Sequence, residues 1–156
     1  MANARLTPTR AILFGTLVVG SLDLLDAIVF FGLRGAQPIQ ILHSIAAGLI
    51  GRSAAVQGGV ATGALGFGLH FFNACIIVTV FYLVSRRLPW LTRHAVVSGI
   101  AYGVVAYFVM NKVVIPLSAI GTVGAPTWPV FANGILIHMF GVGLPTALFA
   151  RAASRR

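Results

Sequence analysis

Four long apolar stretches dominate the chain: Ala11–Leu33, Gly59–Val84, Ala95–Leu117 and Val130–Ala150. A helix crosses a bilayer with about 20 mostly apolar residues, so each stretch predicts one spanning helix. The first is longer than a secretory h-region, carries Asp23 and Asp26 inside it and lacks a small-residue cleavage site, so it reads as an uncleaved anchor. The connection Arg34–Gln57 is too long for a tight turn. In it Ile41, Leu42, Ile45, Leu49 and Ile50 recur at helical spacing, with Gln40, His43 and Ser44 between them, and Pro38 suits a first helical turn. This predicts a short amphipathic helix over 38–51, either a surface anchor or a segment dipping into the bundle mouth, with the anchor the simpler choice. The fold expected is an all-α integral membrane protein: one domain over 1–156, a four-transmembrane-helix bundle with an interfacial helix between spans one and two.

Spans two and four read alike. Gly66-Phe-Gly-Leu-His70-Phe-Phe72 matches Gly134-Ile-Leu-Ile-His138-Met-Phe140 as Gly-x-x-x-His-x-Phe, and each then runs to an arginine pair, Arg86-Arg87 and Arg155-Arg156. Gly15 and Gly20 in span one correspond to Gly99 and Gly103 in span three. The pattern suggests two repeated hairpins of the same orientation, although apolar low-complexity helices match this well by chance. Gly59-x-x-x-Gly63 and Gly99-x-x-x-Gly103 offer small faces on which helix backbones approach closely.

Composition confirms the class and sharpens the topology. Apolar residues make up 58% of the chain and charged residues 8%, with a mean hydropathy of +0.97. Soluble domains carry about 25% charged residues, so a water-soluble fold is excluded. Cys75 stands alone, which excludes a disulfide scaffold. The net charge of +9 resolves into positions. Arg5, Arg10, Arg86, Arg87, Arg93, Arg151, Arg155 and Arg156 flank one side of the spans, against Arg34 and Arg52 on the other. The positive-inside rule then puts both termini in the cytoplasm. Charges that flank spans rather than form a face suit anionic lipid headgroups and not nucleic acid. Trp90 and Trp128, with Pro89, Pro126 and Pro129, fall where interfacial aromatics and helix-ending prolines belong. So small a bundle has little interior of its own, and a homo-oligomer or a membrane-complex partner is expected.

Ionisable groups within hydrocarbon are costly, so those present should face inward and find partners. Asp23 and Asp26 lie three apart on one helix face. Asp26 and Lys112 fall at similar depth, roughly 22 and 25 Å from the cytoplasmic ends of their helices. An Asp26–Lys112 ion pair with Asn111 beside it follows as the expectation, structural or functional. His70 and His138 sit at nearly one level, and in an up-down-up-down bundle the second and fourth helices are diagonal, so both rings point at the axis. Gly66 and Gly134 would clear space beside them, and Asn73 adds an amide on the His70 face.

Three readings follow. Asp23, Asp26, His70, Asn73, Asn111, Lys112 and His138 form a polar pocket that binds or moves a small polar solute or protons. Alternatively the polar groups only join helices, and the chain is an accessory subunit of a larger complex. Least favoured is a b-type haem with His70 and His138 as axial ligands; otherwise no cofactor and no metal are expected. Catalytic fingerprints are lacking, and Cys75 at i+5 is off the His70 face, so a non-enzymatic role is expected.

Gly99-Ile-Ala-Tyr102-Gly103, Met110 with Val113-Val114-Ile115-Pro116-Leu117, and Ile137-His138-Met139 resemble the YagU-like group of small bacterial inner-membrane proteins, which have no established function. The resemblance covers mainly residues 95–145. It implies an inner-membrane location and a helical bundle, and it supplies no catalytic residue.

Overall fold

A computed structural model of the protein describes residues 6–154. The expected positions Arg5, Arg155 and Arg156 lie outside them. Every element among the described residues is helical: α1 (Pro8–Gly32), α2 (Pro38–Ile50), α3 (Arg52–Gln57), α4 (Gly59–Arg87), α5 (Trp90–Arg93), α6 (Ala95–Leu117) and α7 (Trp128–Ser154). Helices α1, α4, α6 and α7 have 25, 29, 23 and 27 residues and are long and apolar enough to cross a membrane. The protein is an all-α, multi-pass membrane bundle. Compared with the apolar runs, α4 and α7 extend further at their arginine-bearing ends, since polar residues at an interface continue a helix without entering hydrocarbon.

Local chemistry sets the boundaries. Thr7 caps α1, its hydroxyl accepting the Arg10 N–H at 3.3 Å, and Pro8 occupies the first turn. At the other end Arg34 donates to the Phe30 carbonyl at 2.8 Å with its guanidinium 3.6 Å from the Phe30 ring centroid. A cation there complements the negative end of the helix dipole. Helix α2 starts at Pro38, with the Gln37 N–H held by the Gln40 side chain at 2.8 Å, and stops at Gly51, whose φ of +80° favours glycine.

The four spans converge at the arginine-bearing end and diverge at the other. At the first end, Phe81, Tyr82, Ala95, Ala147 and Ala150 form one packed cluster, with Ile12 against it. Nearer the centre, Val19, Ala74, Val78 and Val142 make a second layer. Helix α7 is the hub: it packs on α1 and α6 along their length and on α4 through its Leu144–Ser154 half. The second and fourth spans are therefore neighbours at one end, not diagonal throughout, and α7 stands between α1 and α6. The α6–α7 seam rests on Gly99, Gly103 and Gly143. A β-carbon on Gly103 would fall on the His138 carbonyl, so only glycine permits this approach.

Two spans change their winding, α6 near its end and α7 near its middle. The Ile115 N–H bonds the Met110 carbonyl and the Leu144 N–H bonds the Met139 carbonyl, each five residues back, giving π-turns at Met110–Val114 and His138–Gly143. Each precedes a proline, Pro116 or Pro145. Proline lacks the N–H for the carbonyl four residues back and crowds it, and local widening re-satisfies the neighbouring groups in a membrane.

Helix α2 fills the gap where the spans part. It crosses α4 so closely that a β-carbon on Gly66 would meet the Leu42 carbonyl. Gly66 thus clears room for α2, and Gly134 for the Tyr107 ring, rather than for the histidines as the sequence suggested. His43 bonds the Gly59 carbonyl at 2.8 Å, and the Ala119 N–H bonds the Gly48 carbonyl at 2.9 Å, so α2 ties α4 to the α6–α7 loop. Ile41, His43, Ala46 and Ala47 are buried. The amphipathic helix dips into the bundle mouth; it is not a surface anchor.

Candidate functional site

Divergence of the spans beneath α2 leaves a cavity of about 860 Å³. Its floor is the packed layer containing Val19, Ala74 and Val142, and its mouth is framed by the exposed side chains of Gln40, Arg52 and Val56. The cavity is blind, open at the α2 end and closed towards the arginine-bearing end. Most of its lining is aliphatic. Pockets of 300–1,000 Å³ with apolar walls and a few placed polar groups are the usual form of a small-molecule site.

Asp23, His70, Asn73, Asn111 and His138 all line this space, on four elements separated by up to 115 positions in sequence. Asp23 and Asn73 are half-buried. Neither makes a side-chain hydrogen bond to any described residue, and both line the cavity. His70 bonds the Gly20 carbonyl at 2.8 Å through Nε2, and Phe71 meets its ring edge-on at 5.5 Å. His138 bonds the Gly134 carbonyl of its own helix at 2.9 Å through Nδ1, with the Tyr107 ring edge-on at 5.4 Å. The two Gly-x-x-x-His-x-Phe motifs thus place their histidines on one cavity by different bonds.

Those bonds fix the tautomers. A ring nitrogen facing a carbonyl oxygen must carry the proton and donate, and the other nitrogen of a neutral imidazole is then a lone-pair acceptor. His70 therefore keeps Nδ1 as its free acceptor, and His138 keeps Nε2. The Asn111 amide donates to the Tyr107 carbonyl at 2.9 Å, which leaves its side-chain oxygen free as an acceptor. The haem arrangement does not fit this geometry, because the Nε2 that would ligate iron from His70 is spent on the Gly20 backbone.

Two of the expected residues lie apart. Asp26 Oδ2 accepts from Asn133 Nδ2 at 2.7 Å, and Lys112 is exposed on the outside of the bundle. Neither lines the cavity. The expected Asp26–Lys112 pair gives way to Asp26–Asn133 because α7 separates α1 from α6 and brings its own asparagine to the aspartate.

Sequence reasoning missed Asn133, although depth matching contained the signal: Asp26 lies six residues from the end of α1 and Asn133 five from the start of α7. It missed the Tyr102 hydroxyl, which donates to the Ile77 carbonyl at 2.7 Å beside the cavity and joins α6 to α4. It also left His43 at the interface, whereas the ring is buried and lines the cavity with Ser44. Cys75 has only a long contact to Thr79, Sγ to Oγ1 at 3.9 Å. Among the described residues no three His, Cys, Asp or Glu side chains gather as a metal site. In comparison with known proteins, no family model, curated protein or solved structure matches the chain.

Proposed function

We propose that the chain is a non-enzymatic protein of a bacterial inner membrane whose blind cavity binds, and passes on, a small polar solute or protons. The observation that carries this reading is the convergence of Asp23, His70, Asn73, Asn111 and His138 on one cavity of about 860 Å³. Polar groups inside hydrocarbon are costly unless they meet a partner or line a wet space, and Asp23 and Asn73 have no side-chain hydrogen-bond partner among the described residues. Arg10, Arg86, Arg87, Arg93 and Arg151 all belong to one end of the bundle, opposite α2. That asymmetry supports a cytoplasmic arginine end in contact with anionic headgroups, and a cavity mouth on the far side. A homo-oligomer or a membrane partner around the four spans remains part of the proposal. The YagU-like resemblance supports the location and gives no residue role.

Water access tests the cavity directly. In a Cys75→Ala background, the full chain in sealed liposomes carries either Asn73→Cys or Val78→Cys, and a membrane-impermeant methanethiosulfonate is applied to one face at a time. Asn73→Cys is expected to react from the α2 face only, and Val78→Cys, in the layer beneath the cavity, from neither. Silence of Asn73→Cys from both faces, or its reaction from the arginine face, overturns the reading.

A further inference from the structure

We infer that the ligand of this cavity is an organic cation: an ammonium group with N–H donors, seated at Asp23, on an apolar body. The inference rests on the binding role proposed above and names the chemistry of the occupant.

Most of the side-chain donors that line the cavity are already spent within the protein. His43, His70 and His138 donate their ring N–H to the carbonyls of Gly59, Gly20 and Gly134. Ser44 and Ser118 donate their hydroxyls to Ile41 and Ile115 at 2.7 and 2.6 Å, and Asn111 donates to Tyr107. Each of these six side chains lines the cavity. What each has left for an occupant is chiefly an acceptor: an imidazole lone pair, a hydroxyl lone pair or an amide oxygen. To these Asp23 adds two carboxylate oxygens without a hydrogen-bond partner among the described residues. Donors persist on Asn73, on the second N–H of Asn111 and, at the exposed rim, on Gln40 and Arg52. A wall rich in acceptors is satisfied by a guest that brings donors, because a buried polar group left unpaired is expensive.

Charge points the same way. Lys112 lies exposed on the outside of the bundle and does not line the cavity, so it does not balance Asp23. Arg52 stands at the exposed mouth, where water screens it. An anionic guest would set a second negative charge beside Asp23; an ammonium completes the pair. The volume and the aliphatic walls then call for an apolar body on the same molecule.

Equilibrium dialysis with a matched series tests this. The full chain in detergent micelles is compared with protein-free micelles for retention of 4-phenylbutylammonium, 4-phenylbutanol and 4-phenylbutanoate. The ammonium is expected to bind about tenfold tighter than the alcohol, a preference worth about 1.4 kcal/mol, with the carboxylate weakest. That order runs against the net charge of +9, which by itself attracts the anion. Asp23→Asn is expected to bring ammonium and alcohol within about twofold of each other, leaving alcohol binding intact as a sign that the fold survives. Ala27→Trp, which fills the cavity, is expected to lose all three. Equal binding of ammonium and alcohol, a preferred carboxylate, or an unchanged preference in Asp23→Asn overturns the cation. Retention of none of the three by the unaltered chain overturns the cavity reading as well.

Discussion

Asp26 and Asn133 show how one side chain decides the geometry of a span. The carboxylate accepts a 2.7 Å hydrogen bond from the amide across the α1–α7 seam, near the α2 end. Hydrogen bonds to a charged partner contribute about 1.5–3 kcal/mol in water-soluble proteins. Between membrane helices the measured couplings average about 0.6 and reach about 1.7 kcal/mol. A double-mutant cycle of Asp26→Ala with Asn133→Ala, read by denaturant unfolding in mixed micelles, is therefore expected to give a coupling near 1 kcal/mol. The same cycle with Lys112→Met in place of Asn133→Ala is expected to stay within about 0.5 kcal/mol of additivity. A larger Asp26–Lys112 coupling would contradict the arrangement. Lys112 lies five residues before the end of α6, close enough for its stem to carry the ammonium to headgroup level. Gly103 decides the neighbouring seam, since its missing β-carbon is what lets α6 lie on the π-turn of α7. Gly103→Ala is expected to cost about 2–3 kcal/mol by overpacking. Gly68, with open space around its absent β-carbon, is the control. Gly68→Ala is expected to be neutral or to stabilise by up to about 1 kcal/mol through helix propensity.

The spans were legible from the run of apolar residues because bilayer thickness alone fixes their length. What each span presents to its neighbour was not. An ideal α-helix puts Lys112 and Asp26 at one depth on facing helices, but depth says nothing of which helix stands between them. The π-turns before Pro116 and Pro145 also alter the winding ahead of each proline, and a fixed 3.6-residue period does not include them. The signal was present at Pro145, a proline within an apolar run, and weaker at Pro116, which stands next to the end of its run. Helix α2 was legible as an element and not as a position: the same amphipathic period serves a helix on a membrane surface and one wedged in a bundle mouth. The deciding residue was Gly66, whose bare backbone accepts Leu42. At this scale the structure predicts a separable element. Gly66→Ala is expected to lift α2 from α4, so that hydrogen exchange rises over residues 38–57 and stays unchanged in the arginine-end halves of the four spans. Faster exchange throughout the bundle would mean that α2 is needed for the spans to pack at all.

The molecule as a whole is a bundle tight at one end and parted at the other, with the polar groups gathered at the parting. The sequence located Asp23, His70, Asn73, Asn111 and His138 by the rule that polar residues in a membrane face inward, and that rule suffices where such residues are rare. It could not show that the cavity is blind. Closure depends on Val19, Ala74, Val78 and Val142, apolar residues among many others. A solute that crosses this bundle must part the arginine-end halves of the spans, whereas a solute that only binds need not. An engineered tie across that half separates the two roles. A β-carbon on Gly15 would lie 3.6 Å from that of Phe149, and it would meet Val78 Cγ1 at 3.0 Å, a contact a methyl group can relieve. Disulfides join β-carbons about 3.5–4.5 Å apart, so Gly15→Cys with Phe149→Cys, in a Cys75→Ala background, is expected to oxidise to an intramolecular bridge between α1 and α7. The bridge lies below the cavity floor, and the oxidised protein is expected to bind 4-phenylbutylammonium as the reduced one does. Its movement of the cation into liposomes is expected to stop, and to resume on reduction with dithiothreitol. Flux that continues through the bridged protein would show that the arginine end does not open by separating α1 from α7.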